Sequence, residues 1–198
     1  KYDVSYKINP KWETNLLLDY SETKGVGSNI GTNVRGTVSA SAFMKYYFMK
    51  QLGIESSLRQ ESTAAFQSPL LYALGINAPL TTHYRIKLNH SRNFRIPTFN
   101  DLYWTVGGNQ NLKPEQSIQT ELGPELSSKG CRIVATIYHN SISDLIQWKP
   151  NNDAWTPENI GKVKSYGAEF LLEATKEFGT HRVNVTSTYA YTVSTNED

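Results

Sequence analysis

The sequence lacks the features that define several common classes of protein. Its 198 residues include one cysteine, Cys131, so the chain holds no internal disulfide and no metal site built from several cysteines. Its 20 lysines and arginines nearly balance its 18 aspartates and glutamates, and a net charge of +2 gives no basic footprint for nucleic acid. No apolar run approaches the roughly 20 residues that a membrane-spanning helix requires.

Signals for catalysis and for bound cofactors are also missing. None of the four histidines has a metal-ligand partner two or four residues further along the chain, and no glycine-rich phosphate loop or GxSxG elbow is present. We therefore predict no catalytic residue, no metal site, no cofactor and no enzymatic activity. The chain starts at Lys1 without a signal peptide and stops just after a strand-like segment, so we expect a piece of a longer protein.

Alternation of apolar and polar residues is the strongest positive signal. Between His181 and Thr195 the odd positions are largely apolar and the even positions are largely polar, which is typical of a strand with one buried face. The same pattern predicts about eight strands after a short stretch before Pro10, at residues 11–21, 34–48, 52–66, 81–93, 117–127, 131–147, 163–174 and 181–195.

The length of these segments favours a membrane barrel over a soluble sandwich. Most span roughly 11–15 residues, whereas strands of soluble proteins commonly have about 5–6. Tilted strands need about 9–11 residues to cross the hydrocarbon of a bilayer. Aromatic residues near several strand ends suit the interfacial girdles of such a barrel, although aromatics also favour ordinary sheets.

Short and long connections alternate along the chain. In an antiparallel meander, alternate connections lie at the same end, so this pattern predicts short turns at one end and long loops at the other. The predicted tight connections are Met49–Gly53, Ser127–Cys131 and Lys176–Thr180, and the predicted long loops are Gly25–Asn33, Gln67–Pro79, Phe94–Pro114 and Lys149–Ile160. The expected fold is all-β, an antiparallel up-and-down meander.

Two of the long loops are rich in aromatic and amide side chains. Flat rings and amide hydrogen bonds suit recognition of a small polar ligand, so we predict that these loops contact a substrate. The alternative is that the same side chains only pack the loops together. The candidate residues are Tyr103, Trp104, Asn109, Trp148, Asn152 and Trp155.

The segment Asn93–Gln116, NFRIPTFNDLYWTVGGNQNLKPEQ, resembles a motif of TonB-dependent outer-membrane receptors. The matching residues are Phe94, Arg95, Pro97, Thr98, Asp101, Leu102, Tyr103, Gly108, Asn109, Leu112, Pro114 and Glu115. Further matches follow in the family's order, at Glu121–Gly123, at Tyr138 to Ile146, and at Asn159 followed by Tyr166–Glu169. Within the family, the chain is most similar to the cobalamin receptors.

The resemblance implies a segment of an outer-membrane barrel of about 22 strands, without the plug domain and the closing strands. It implies active uptake of a scarce nutrient, with cobalamin as the first candidate and ferric siderophores or haem as alternatives. TonB would act through an N-terminal region outside residues 1–198, and membrane lipid would surround the wall. Other classes remain open, namely a barrel enzyme of the outer membrane or a soluble carbohydrate-binding sandwich.

The two outermost strands of such a segment are expected to pair with other strands. In a closed barrel every edge is paired, whereas this segment has two edges that can recruit another strand. We expect it either to pair with a second copy of itself or to close into a smaller barrel.

Overall fold

The computed structural model describes residues 1–49, 52–151 and 154–197, which form a ten-stranded antiparallel sheet. Each strand pairs with its neighbours in sequence, so the topology is an up-and-down meander, as predicted. The strands are β1 (Tyr2–Asn9), β2 (Trp12–Gly27), β3 (Gly31–Tyr47), β4 (Gly53–Thr63), β5 (Leu71–Pro79), β6 (Tyr84–Arg95), β7 (Glu115–Ser128), β8 (Cys131–Asn151), β9 (Ala154–Phe178) and β10 (His181–Asn196).

A short helix, α1 (Phe99–Tyr103), lies between β6 and β7. In the described part of the chain, no helix has the length and apolar character needed to cross a membrane.

Strand β5 corrects the predicted long loop Gln67–Pro79. Its outer positions Tyr72, Leu74 and Ile76 are apolar, but the positions between them include Ala73 and Gly75. Because small residues replace polar ones on the second face, the alternation that marks a strand is weak here. The described residues therefore form ten strands where the pattern predicted about eight and a short one.

Two other predicted loops are largely strand. β2 continues to Gly27 and β3 starts at Gly31, while β8 continues to Asn151 and β9 starts at Ala154. Both pairs extend as hairpins because their ladders stay in register as far as Gly27–Gly31 and Asn151–Ala154.

The predicted difference in connection length between the two ends of the sheet is nevertheless present in the structure. One end carries the short connections 10–11, 48–52, 80–83, 129–130 and 179–180, and we call it the short-turn end. The opposite end carries the two extended hairpins and the longer connections 64–70 and 96–114.

The sheet curves so that its polar face is concave. Residues of β1 to β7, among them Lys7, Glu55 and Glu121, line a shared cleft of about 770 Å³ on this inner face. Ion pairs on the inner face also join β6, β7 and β8. Glu125 of β7 accepts hydrogen bonds from Lys87 Nζ of β6 and from Arg132 Nε of β8, both at 3.0 Å. The opposite, outer face carries rows of apolar side chains, such as Leu88 beside Leu122.

Aromatic side chains form two groups on the outer face. Near the short-turn end, the ring of Trp12 lies 4.3 Å from that of Tyr46, which lies 4.7 Å from that of Phe48. Eight residues along β2, Tyr20 belongs to a second group. Eight residues span about 26 Å along a strand, which corresponds to roughly 20 Å of height at a strand tilt near 40°. This separation is close to the height of the apolar band of outer-membrane barrels, about 25 Å. The second group contains Tyr20, Tyr72, Tyr166, Tyr189 and Tyr191.

The sheet is open. Among the described residues, β1 pairs only with β2 and β10 pairs only with β9, so the expectation that the chain closes into a smaller barrel is wrong. A sheet closes only where its curvature brings the edge strands to the usual spacing of about 4.8 Å. The curvature of these ten strands leaves β1 and β10 apart, as expected of an arc of a larger barrel.

Candidate functional site

The connection 96–114, which we call the central loop, folds inward over the inner face at the end opposite the short turns. Its helix α1 begins with a capping box, in which the Asp101 amide donates to Thr98 Oγ1 at 3.2 Å and the Thr98 amide donates to Asp101 Oδ2 at 2.8 Å. The buried Asp101 carboxylate also accepts a hydrogen bond from Trp148 Nε1 at 3.0 Å. One carboxylate therefore joins the first turn of α1 to strand β8.

A buried glutamate holds the two ends of the central loop together. Arg95, the last residue of β6, donates to Glu115, the first residue of β7, with Nε 2.6 Å from Oε2. The same carboxylate accepts the backbone amide of Ile146 at 2.7 Å. Glu115 thus ties β6, β7 and β8 together where the loop departs, and its charge is neutralised by Arg95.

A small apolar core lies beneath the loop. Leu102 and Leu112 pack against Ile146 of β8, and Phe66 from the connection 64–70 packs against this cluster. Burial of these side chains fixes the loop to the wall, since each large apolar group removed from water contributes about 1.5–3 kcal/mol.

The β8–β9 hairpin holds the second half of the loop. Asn109 Nδ2 donates to the carbonyl of Pro157 at 3.1 Å. Asn159 Oδ1 accepts the Lys113 amide at 2.8 Å, and its Nδ2 donates to the carbonyls of Lys113 and Asp144. An asparagine side chain that mimics a strand partner in this way holds irregular backbone in one position.

The β2–β3 hairpin holds the first half. Thr105 donates from its amide to the carbonyl of Asn29 at 2.9 Å. Arg35 Nη2 donates to the carbonyl of Pro97 at 2.9 Å. The ring of Phe99 covers Gly25 so closely that a Cβ there would lie 2.5 Å from Phe99 Cδ2.

A cleft of about 370 Å³ opens between these elements. The Arg35 guanidinium lies 4.9 Å from the ring centre of Phe99 and 5.8 Å from that of Phe66, and both rings line the cleft. Tyr103 and Gln110 also line the cleft. A cation held between two rings, with a phenol and an amide nearby, suits a ligand that has flat apolar surface and hydrogen-bonding edges.

The structure separates the predicted site residues into two groups. Tyr103, Trp104 and Trp155 are 36%, 37% and 61% exposed. Trp148 and Asn109 use their polar atoms within the protein, on Asp101 and Pro157. Asn152 lies outside the described residues. The structure brings the loop and the hairpin together at Gly107, where a Cβ would collide with the carbonyl oxygen of Trp155.

Comparison with known proteins agrees with this architecture. The sequence matches the family described as "TonB dependent receptor-like, beta-barrel" over residues 3–198. The chain belongs to the TonB-dependent receptor family. These receptors are outer-membrane barrels, so this wall segment belongs to the bacterial outer membrane.

Named relatives of this TonB-dependent receptor segment are vitamin B12 transporters. It is 36% identical over 175 residues to the vitamin B12 transporter BtuB of Vibrio vulnificus, covering 84% of this chain and 28% of the relative. It is 29% identical over 128 residues to BtuB of Photobacterium profundum, covering 62% of this chain and 21% of the relative. The chain therefore spans less than a third of the length of these relatives.

Solved structures share the fold. The siderophore receptor PirA from Pseudomonas aeruginosa superposes with a TM-score of 0.79 at 17% identity, covering 97% of this chain and 39% of that one. The copper transporter OprC superposes with a TM-score of 0.75 at 12% identity, covering 96% of this chain and 36% of that one. In both cases the ten strands match a part of a longer chain, in agreement with the open sheet.

The motif that carries the family resemblance is largely a scaffold in this receptor segment. Arg95, Thr98, Asp101 and Glu115 bond to one another or to the wall, and Leu112 lies in the small core. The cleft residues Arg35 and Phe66 were not predicted as site residues. Each stands alone in a different strand or connection, so no local pattern marked them, and only the inward fold of the central loop brings them together.

Proposed function

We propose that this chain is part of the barrel wall of a TonB-dependent active transporter and that the nutrient taken up is cobalamin. Residues 1–198 then form one segment of the barrel domain, and the plug, the closing strands and the TonB-contacting region belong to other parts of a longer protein. The named relatives, which are vitamin B12 transporters, support this substrate.

One structural observation carries the proposal. The central loop is fastened to β3 through Arg35 and to the β8–β9 hairpin through Trp148 and Asn159, while the side chains of Tyr103, Trp104 and Trp155 stay exposed. A rigid platform with exposed aromatic rings binds a large ligand at a low cost in conformational entropy.

Equilibrium binding of cyanocobalamin to the full-length receptor in detergent tests the substrate, with ferric siderophores and haem as competitors. We expect saturable cobalamin binding that persists in the presence of both competitors. Displacement by a ferric siderophore or by haem would replace cobalamin with that class of ligand and leave the transporter assignment intact.

Single substitutions test the platform, by which we mean the exposed rings of Tyr103, Trp104 and Trp155. We expect Tyr103→Ala, Trp104→Ala and Trp155→Ala each to weaken cobalamin binding by about tenfold or more, because aromatic contacts often dominate an interface. The matched control is Tyr189→Ala, an aromatic that is 63% exposed on the outer face of β10, and we expect no change. Equal affinities for all four variants would rule out a ligand contact at this platform.

A further inference from the structure

One residue of strand β8 has a backbone conformation that strands do not normally contain. Asp144 has a φ of 55°, in the left-handed region, and among the described residues it is the only one besides glycine with a positive φ. The glycines with positive φ lie at or next to hairpin turns, whereas Asp144 lies inside a strand of 21 residues. Left-handed backbone is strained for most residues that carry a Cβ and is tolerated mainly by glycine, asparagine and aspartate.

The pairing of β8 changes at the same residue. Up to Ser143, β8 pairs on both sides, with β7 and with β9. The ladder with β9 omits the pair of Asp144 and Gly161 and resumes at Leu145, whereas the ladder with β7 ends at Ser143. An irregular residue of this kind bends a strand and redirects the residues that follow, as β-bulges do. Asp144 therefore marks the bend at which the β8–β9 hairpin leaves the sheet.

Side chains replace strand partners around this bend. The carbonyl of Asp144 accepts a hydrogen bond from Asn159 Nδ2 at 2.7 Å. Two residues further along, the amide of Ile146 donates to Glu115 Oε1, also at 2.7 Å. Because these backbone groups are satisfied by side chains, the bend is a stable part of the fold.

The side chain of Asp144 has no comparable role. In the part of the chain that the structure describes, its carboxylate takes part in no hydrogen bond and no ion pair, and only its backbone carbonyl is engaged. The aspartate therefore contributes its tolerance of left-handed backbone rather than its charge. A residue held in a sparsely populated conformation within a strand indicates that the geometry at that place is required.

The residues beyond the bend support the nutrient platform. Ile146 is buried against the central loop, and Trp148 Nε1 donates to a carboxylate of that loop at 3.0 Å. Near the tip of the hairpin, the carbonyl of Trp155 lies against Gly107, and the Trp155 side chain is exposed. All these contacts lie beyond Asp144, so the direction of the chain at this residue sets the position of Trp155 relative to the central loop.

The length of the hairpin amplifies any change at the bend. Trp155 pairs with Pro150, six residues beyond Asp144, which corresponds to about 20 Å of strand. A rotation of the hairpin by roughly 10° at the bend would therefore move the Trp155 ring by about 3.5 Å. A displacement of this size is enough to break a contact with a ligand held between Trp155 and the rings of the central loop.

We propose that Asp144 is a positioning residue for nutrient binding. Its left-handed backbone directs the β8–β9 hairpin to the central loop and thereby sets the place of Trp155 beside Tyr103 and Trp104. The consequence for cobalamin rests on the function proposed above, whereas the bend itself can be tested without a ligand.

A series of substitutions at Asp144 in the full-length receptor tests the proposal. Asp144→Asn and Asp144→Gly keep access to left-handed backbone, whereas Asp144→Ala and Asp144→Val progressively lose it. Asp19→Val is the matched control, because Asp19 lies inside β2 without a positive φ. Each variant is measured by cyanocobalamin binding in detergent and by hydrogen exchange of residues 96–114. Heat-dependent mobility on gels confirms that the barrels are folded.

We expect Asp144→Val to bind cobalamin roughly 5- to 30-fold more weakly, since left-handed backbone is disfavoured by about that factor for an ordinary residue. Asp144→Ala shows a smaller loss, and both variants exchange faster in residues 96–114. Asp144→Asn, Asp144→Gly and Asp19→Val keep the affinity and the exchange rates of the unmodified receptor.

Weakened binding in Asp144→Asn and Asp144→Gly as well would overturn the proposal, because the carboxylate rather than the backbone would then be needed. An Asp144→Val variant that binds as the unmodified receptor does would also overturn it, whatever its exchange rates. If the unmodified receptor binds no cobalamin, the proposed substrate is wrong, and equal exchange in Asp144→Asn and Asp144→Val would then overturn the positioning role.

Discussion

Asp101 joins the start of helix α1 to strand β8. Its carboxylate accepts from the Thr98 amide, the Thr98 hydroxyl and the Trp148 indole, and it is 6% exposed. A buried carboxylate with three donors is stable only while all three stay in place. In this structure the aspartate of the family motif holds the first turn of α1 against β8.

We expect Asp101→Ala to free the central loop, because three donors lose their acceptor and the capping box of α1 loses its side-chain half, at a cost of about 2–4 kcal/mol. Hydrogen exchange of the full-length receptor should show faster exchange in residues 96–114 and unchanged exchange in β7 to β9. Asn100→Ala is the matched control, since Asn100 is the exposed neighbour on the same helix. Unchanged protection of the loop in Asp101→Ala would contradict this assignment.

Gly107 marks the closest approach of the loop to the β8–β9 hairpin. A Cβ at this position would overlap the carbonyl oxygen of Trp155, and backbone cannot move aside as a flexible side chain can. We therefore expect Gly107→Ala to separate the two and to weaken cobalamin binding by about tenfold or more. The exposed neighbour Val106 provides the control, and Val106→Ala should bind as the unmodified receptor does.

Among the elements, the β8–β9 hairpin is the main support of the loop. β8 has 21 residues and β9 has 25, longer than the other strands, and the excess rises beyond the sheet to meet the central loop. Trp148, Pro157 and Asn159, which contact the loop, all lie in this excess. A hairpin whose ladder continues beyond the ends of the neighbouring strands gives the loop a more regular neighbour than an irregular loop provides.

A substitution at Asn159 tests whether the β8–β9 hairpin holds the central loop in place. We expect Asn159→Asp to release residues 110–116, because a carboxylate cannot donate to the carbonyls of Lys113 and Asp144 and would face both oxygens. Hydrogen exchange of the Lys113 region should accelerate by about five- to one-hundredfold, while α1 stays protected by its own cap. Equal exchange in the two proteins would show that the small core alone holds the loop.

For the whole chain, the two strand edges dominate its behaviour outside the intact receptor. β10 is exposed along nearly its full length and pairs on one side only, as does β1. Each edge carries unpaired backbone donors and acceptors, which are satisfied when another strand is added.

We expect the 198-residue chain, refolded in detergent, to associate through these edges into dimers or larger species. Light scattering coupled to gel filtration measures the mass, and introducing two inward-facing lysines, Thr188→Lys and Ala190→Lys, should reduce association because charge on an edge strand disfavours pairing. A monomeric unmodified chain would contradict the prediction.

The strand pattern, the meander and the family follow from the order of residues alone. Alternation with period two depends on each strand having one polar and one apolar face, and this condition is met along β2, β7 and β10 without reference to any neighbour. Where it fails, as in β5 with Ala73 and Gly75 on the inner face, the sequence could not reveal the strand. The exposed aromatics of the central loop and the β8–β9 hairpin were also recognisable as candidates from composition.

Their roles depended on contacts between distant parts of the chain. Arg35 and Phe66 join Phe99 only because the central loop folds inward over β3, and Trp148 is committed to Asp101 only because β8 rises beside α1. The openness of the sheet was likewise decided by curvature, which sums the twist of ten strands. Local sequence determines the face on which a side chain lies, whereas the partners it meets depend on packing across many residues of separation.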